Sequence, residues 1–300
     1  MRTRDAAARR ISVIKPALAR RLWWLAALVI SAAMAPAQAR IPTASHAASS
    51  AQVQLDGNFI QGGWMRGNAA ADVVSVTVGD EALTLDDSGQ FFAAFDRDAA
   101  AQVQLTLTYD DGRSHLQTLS IAARKWQIEH VNVAKRSGGA SEAWWKKREP
   151  EWNAILGARA KQTNADGWRQ SFIWPVKGRI SGRFGSQRIY RGEPGSYHSG
   201  LDIAPGAGEP FVAPANGVVV LAVQGFSLEG NLLILDHGNG LNSAFLHAQS
   251  LAVSEGDAVM QGQLLGRVGS SGRATGPHLH WSLKWRDARL DPLLFLPDAE

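Results

Sequence analysis

None of the 300 residues is cysteine. That absence excludes disulfides, a thiolate zinc site and a lipid-bearing cysteine behind a leader, while leaving export permitted. Long apolar runs are also missing. The stretch from Leu22 to Ile30 stops near Met34, short of the roughly 20 residues that a spanning helix needs. No basic run with interleaved aromatics points to nucleic acid, and no motif of paired carboxylates points to a glycosidase.

The charge excess is thin. The net charge of +4 rests on 31 Lys and Arg against 27 Asp and Glu, and residues 1–39 hold seven of the basic residues and one acidic one, leaving 24 against 26 and a net charge near −2. Those seven, Arg2, Arg4, Arg9, Arg10, Lys15, Arg20 and Arg21, precede the apolar run and the small-residue stretch Ala37-Gln38-Ala39. A basic region, a short apolar region and a small-residue site make residues 1–39 an export signal, cleaved after Ala39.

The remainder reads as mainly β, with length and apolar content for two or three domains. Residues 40–52 are small and polar, a flexible entry. Over 53–133, Val74, Val76 and Val78 alternate, as do Val103, Leu105, Leu107 and Tyr109, with turns at Asp86-Asp87-Ser88-Gly89 and Asp110-Asp111-Gly112. This is the pattern of a small β-sandwich, immunoglobulin-like, serving as a spacer or docking module. Residues 134–170 form a linker that turns helical over Ser141 to Thr163, in which Pro150 suits a first turn and Trp152, Ile155, Leu156 and Ala160 make an apolar stripe. Trp144, Trp145, Lys146, Lys147 and Arg148 suit either an anionic polymer or membrane surface, or a helix packed on its own neighbour. Residues 171–300 carry short β-runs such as Gly217 to Leu221, Asn231 to Leu235 and Gln263 to Val268, which predict an antiparallel fold with an open groove.

The chemistry gathers around Gly276-Pro277-His278-Leu279-His280-Trp281-Ser282-Leu283. Leu279, Trp281 and Leu283 alternate against His278, His280 and Ser282, so both imidazoles share one face of a strand. In Tyr197-His198-Ser199-Gly200-Leu201-Asp202-Ile203, an extended chain puts His198, Gly200 and Asp202 on one face, with Gly200 leaving room between the two donors. Two histidines and a carboxylate are a zinc set that leaves a fourth position for water, with His198, Asp202 and His280 as the expected ligands of one zinc ion per chain. His278 and His247 then remain to handle protons. His237, in the turn Asp236-His237-Gly238-Asn239-Gly240, is expected outside this set.

These motifs resemble the lysostaphin-like (LytM-type) zinc endopeptidases of bacterial cell walls. The likeness rests on His-x-Gly-x-Asp at His198 to Asp202, a histidine ending a strand at His247, and Gly-Pro-His-Leu-His at Gly276 to His280. Supporting phrases include Gly178-Arg179-Ile180-Ser181-Gly182-Arg183-Phe184-Gly185 and Val212 to Gly217, and the likeness spans about Phe172 to Pro297. Phe245 departs from the tyrosine of many members, so a hydroxyl is absent there.

The resemblance implies cross-linking peptides of peptidoglycan as substrate. The bond joins D-alanine to a neighbouring diaminopimelate, or lies in a pentaglycine bridge. The implied location is the periplasm, or else the secreted or wall-associated fraction, with no stable transmembrane segment after cleavage. Groove walls are expected at Ser186 to Ser196 and Gly225 to Gly230. The resemblance also admits a non-enzymatic activator of other wall hydrolases, whose relatives lose metal ligands, and a wall-binding module. A regulatory protein of the wall is a further partner class.

Overall fold

The computed structural model describes residues 53–135 and 141–297. The expected export signal over 1–39 and entry over 40–52 lie outside the described residues. Among the described residues no helix is long and apolar enough to cross a membrane.

The first part of the chain forms two small antiparallel sheets. One carries β1 (Val53–Gly57), β2 (Trp64–Ala69) and β5 (Gln90–Ala94). The other is ordered β4 (Glu81–Ala82), β3 (Val73–Val78), β6 (Gln102–Tyr109) and β7 (Ser114–Ser120). The alternation of β3 and β6 buries Val76, Leu105 and Leu107 in a shared core with Met65, Phe91 and Phe92. The exit strand β8 (Ile128–Val131) then runs parallel to β10 (Gln187–Tyr190), itself paired with β11 (Glu193–Tyr197). The groove wall expected at Ser186 to Ser196 is thus a hairpin extended by a strand from the first part of the chain.

The C-terminal part is built on an antiparallel sheet ordered β18 (Ala258–Val259), β14 (Gly217–Phe226), β15 (Gly230–Asp236), β16 (Leu241–Ala248), β20 (Leu279–Trp285), β12 (Leu201–Ala204) and β9 (Arg179–Gly182). A short β21 (Ala288–Leu290) pairs with β20, and β13 (Pro210–Val212), β19 (Leu264–Arg267) and β17 (Ser250–Leu251) make a smaller sheet. Period-2 alternation divides the large sheet into two faces. Leu233, Leu235, Phe245, Leu279, Trp281 and Leu283 enter the main core, whereas Leu232, Ile234 and Ala244 join a second cluster under α1 (Glu142–Ala160).

That main core is continuous through both parts. Phe92 and Trp64 lie 6.4 and 5.5 Å from Phe295, Phe172 lies 5.3 Å from Phe295 and 6.5 Å from Trp281, and Phe245 stacks on Trp281 at 6.5 Å. Polar contacts reinforce it: Arg124 pairs with buried Asp291 at 2.8 Å, and Arg66 donates to the carbonyls of Trp168 and Gln170 at 2.7 and 2.6 Å. The first part is fused to the floor of the second rather than tethered to it.

Helix α1 falls inside the expected Ser141 to Thr163 stretch but differs in where it puts Pro150 and its apolar stripe. It begins at Glu142, capped by the Ser141 hydroxyl accepting from the Trp144 amide at 3.2 Å, so Pro150 lies in the helix interior rather than its first turn. The hydrogen bond missing at proline is offset by tertiary contacts on either side. The Arg148 guanidinium donates to both Glu229 oxygens at 2.6 and 2.7 Å, and Glu151 accepts from the Ser227 amide at 2.9 Å. The buried side is Arg148, Glu151, Ile155 and Ala158, while Trp152, Leu156 and Ala160 of the expected stripe are exposed, because this polar anchor rotates the helix about its axis.

Candidate metal centre

Two paired strands and the loop just before one of them assemble the expected ligand set. Asp202 on β12 stands directly opposite His280 on β20 and, on its other side, opposite Gly182 on β9. Asp202 Oδ1 lies 2.8 Å from His280 Nδ1 and 3.1 Å from His198 Nε2, and the two ring nitrogens are 3.1 Å apart. All three donor atoms fall within 4.8 Å of one another. The His198 Nδ1–H donates to the Arg183 carbonyl at 3.1 Å, which turns the Nε2 lone pair toward the other two donors. Zn–N bonds of roughly 2.0–2.1 Å imply tetrahedral donor separations near 3.3 Å, so this donor set fits a small divalent ion.

The electrostatics agree with a cation-holding group. Burial opposes charge on Asp202, yet hydrogen bonds from His198 and His280 outweigh it and hold the carboxyl well below the usual carboxylate range. Burial likewise opposes charge on His198, but the Asp202 hydrogen bond and charge raise its pKa. At His280 burial prevails and lowers it.

Glycines make the approach possible. A Cβ at Gly200 would stand 2.7 Å from His280 Nε2 and 2.6 Å from the Trp281 carbonyl. The room expected at Gly200 is therefore filled by the His280 ring rather than by a ligand. A Cβ at Gly182 would meet Asp202 Oδ2 at 2.5 Å, a requirement the sequence phrase around Gly182 contains but does not announce.

The other two histidines flank this group. His278 donates Nδ1–H to the Gly276 carbonyl at 2.9 Å and sets Nε2 3.8 Å from Asp202 Oδ1. His247 donates Nδ1–H to the Ser271 carbonyl at 2.8 Å, its ring centre 4.9 Å from that of His278 and 6.3 Å from that of His280. Regular alternation would send His247 to the buried side with Phe245. Instead its φ is 65°, a left-handed conformation costly for a non-glycine residue, and it lies where the β15–β16 register is irregular. That backbone excursion brings the imidazole beside His278, and the sequence signals no such turn.

His237 lies apart from this group. It is fully buried, donating Nδ1–H to the Asn216 carbonyl at 2.7 Å and accepting at Nε2 from Ser243 at 2.7 Å, while Ser243 accepts from Trp281 Nε1 at 3.2 Å. Every polar atom of its ring is committed to the fold, and burial lowers its pKa to about 4.

Comparison with known proteins follows the same residues. Residues 196–292 match Peptidase family M23. The chain is 36% identical over 131 residues to a Pseudomonas aeruginosa lipoprotein NlpD/LppB homolog, covering 44% of this chain and 40% of that one. It is also 36% identical over 127 residues to the peptidoglycan DD-endopeptidase ShyA of Vibrio cholerae, covering 40% and 29%, and 31% identical over 130 residues to the murein hydrolase activator NlpD of Escherichia coli, covering 43% and 31%. The chain thus spans 29–40% of the length of these curated relatives. A crystal structure of a Pseudomonas aeruginosa protein assigned to peptidase M23 superposes with a TM-score of 0.61 at 25% identity, over 79% of this chain and 94% of that one. That overlap reaches well beyond the matched segment into the first part of the chain. Residues 196–292, which hold the histidine and aspartate motifs, are thus matched as a peptidase family M23 domain of the lysostaphin/LytM type.

Proposed function

We propose that this chain is an exported zinc-dependent endopeptidase that hydrolyses the cross-linking peptides of peptidoglycan. The observation that carries this reading is the convergence of His198 Nε2, Asp202 Oδ1 and His280 Nδ1, with His247 and His278 beside them. His198, Asp202 and His280 would hold the zinc ion. Zinc, when bound, supplies a Lewis acid that polarises a peptide carbonyl and makes water nucleophilic at neutral pH.

The chain's own contribution is proton handling and orientation. Backbone carbonyls accept the Nδ1 protons of His247 and His278, which leaves each Nε2 lone pair to take a proton from the attacking water and return it to the leaving amine. Burial lowers the His247 pKa, which favours the neutral imidazole with its Nε2 free to accept a proton. The Trp281, Phe245 and Phe172 rings form a packed floor beneath β20 that holds His280 in place.

The relatives named as murein hydrolase activators favour a second reading, a non-enzymatic activator of wall hydrolases. The complete donor set ranks the enzyme above it. Incubation with purified cross-linked peptidoglycan, with and without a zinc chelator, separates the two: conversion of cross-linked dimers to monomers that stops with chelator supports the endopeptidase. A folded, zinc-loaded chain that releases nothing by itself, yet stimulates a separate wall hydrolase, supports the activator.

A further inference from the structure

We propose that the cavity between α1 and the outer face of the large sheet is an anion subsite, in which Arg159, Lys284 and Arg289 bind a carboxylate of the peptide substrate. This rests on the peptidase reading above and adds to it a chemical requirement on the substrate.

The cavity measures about 160 Å³ and opens beside His280, far above the roughly 10–15 Å³ that one water occupies. Three cations line it. Arg159 reaches in from the last turn of α1, Lys284 from β20 and Arg289 from β21. Among the described residues, neither Arg159 nor Arg289 has a carboxylate at ion-pair distance. Arg159 donates to the neutral Asn242 Oδ1 at 2.9 Å, and Arg289 leans on the Tyr197 ring at 5.4 Å. Lys284 has only the fully exposed Asp287, 3.8 Å away. Two further acids are near and already engaged: Glu229 is held by both nitrogens of Arg148, and Asp96 accepts from the Arg289 amide at 2.9 Å. The like charges repel. Burial and then Arg289 bring the Arg159 pKa down to about 10, and burial followed by Arg159 lowers that of Lys284. A bound anion would relieve that repulsion and take charge-assisted hydrogen bonds from a partly dry site.

Position fits substrate better than a stray ion. His280, Ser282 and Lys284 share one face of β20 at two-residue steps, which places Lys284 about 13 Å along the strand from His280. A peptide laid along that face with its scissile carbonyl at the histidines brings a residue a few positions away to the cations. Trp152 and Leu156 of α1 and Leu246 of β16 form the apolar wall, suited to the short aliphatic part of an alanine or diaminopimelate residue. The helix that joins the two halves of the chain would thereby complete the groove with a cation.

Calorimetric titration of the full, zinc-loaded chain with the stem tetrapeptide L-alanyl-γ-D-glutamyl-diaminopimelyl-D-alanine, as free acid and fully amidated, tests this. The free acid is expected to bind about tenfold tighter, the scale of one charge-assisted hydrogen bond, and the preference is expected to vanish in Lys284→Met and in Arg159→Met. Lys284 is less involved in packing than Arg159, so it reports even if the helix variant fails to fold. Equal binding of the two peptides, no binding of either, or an undiminished preference in the lysine variant overturns the subsite. Turnover of cross-linked peptide measured in parallel keeps the two readings apart. Preference without turnover removes the enzyme and keeps the subsite, and turnover indifferent to amidation does the reverse.

Discussion

Asp202 Oδ1 and His280 Nδ1 are 2.8 Å apart across a strand pair in which the two residues stand in direct register. The donor set is therefore a property of sheet pairing rather than of a flexible loop, since a one-residue slip would turn one of these side chains to the opposite face. Only His198 comes from outside the paired strands, and its ring is held by the Arg183 carbonyl.

The close strand approach predicts a sharp glycine dependence. Gly200→Ala drives a methyl into the His280 ring and the Trp281 carbonyl, and Gly182→Ala drives one into the Asp202 carboxylate. Each is expected to lower zinc affinity by about 10–100-fold, the scale seen when the supports of a metal ligand are disturbed. Gly276→Ala meets nothing within 4 Å and is the control. Zinc competition with a fluorescent chelator measures all three.

The fused core predicts that the first part of the chain stabilises the peptidase fold. Asp291 is 2% exposed, pairs with Arg124 and accepts from the Leu293 amide at 3.0 Å. Arg124→Met strands that buried carboxylate, and removing one partner of such a pair costs about 3 kcal/mol. Urea unfolding should show the loss with an unchanged slope. A change under 1 kcal/mol would mean that Asp291 finds water or another donor.

Acid should weaken the fold through His237. Its folded pKa of about 4 lies below the ordinary 6.5, so between those values the unfolded chain binds a proton that the folded chain refuses. The stability held by neutral His237 is fully present above pH 6.5 and is lost as pH falls toward 4, at a slope of up to about 1.4 kcal/mol per pH unit. In His237→Gln, the difference from wild type should shrink across that window. Parallel stability curves would remove His237 as the acid-sensitive group.

Much of this architecture is legible in residue patterns. Alternation along Leu279 to Leu283 and Leu201 to Ile203 sets the buried and open faces of β20 and β12, and those faces put Asp202 beside His280, with His198 and His278 close by just outside the strand ends. The legible parts are local, with period 2. What stays hidden depends on distant partners. The left-handed backbone at His247 lies where β16 leaves regular register with β15, and the burial of Arg148 follows from its pairing with Glu229, 81 residues away. The three cations at Arg159, Lys284 and Arg289 are likewise unrelated in sequence and meet only when α1 docks.

Zinc content and turnover of three single variants test the division of labour among the histidines most directly. Zinc per chain by atomic absorption, with release of monomers from cross-linked peptidoglycan, would be compared for wild type, His280→Ala, His278→Ala and His247→Ala. The expected result is loss of zinc and activity in His280→Ala, and in the other two retention of one zinc with turnover reduced by about 10²–10⁴-fold, the scale of general acid–base catalysis. Loss of zinc in all three variants, or full zinc occupancy in His280→Ala, would contradict the assignment of ligands and proton carriers.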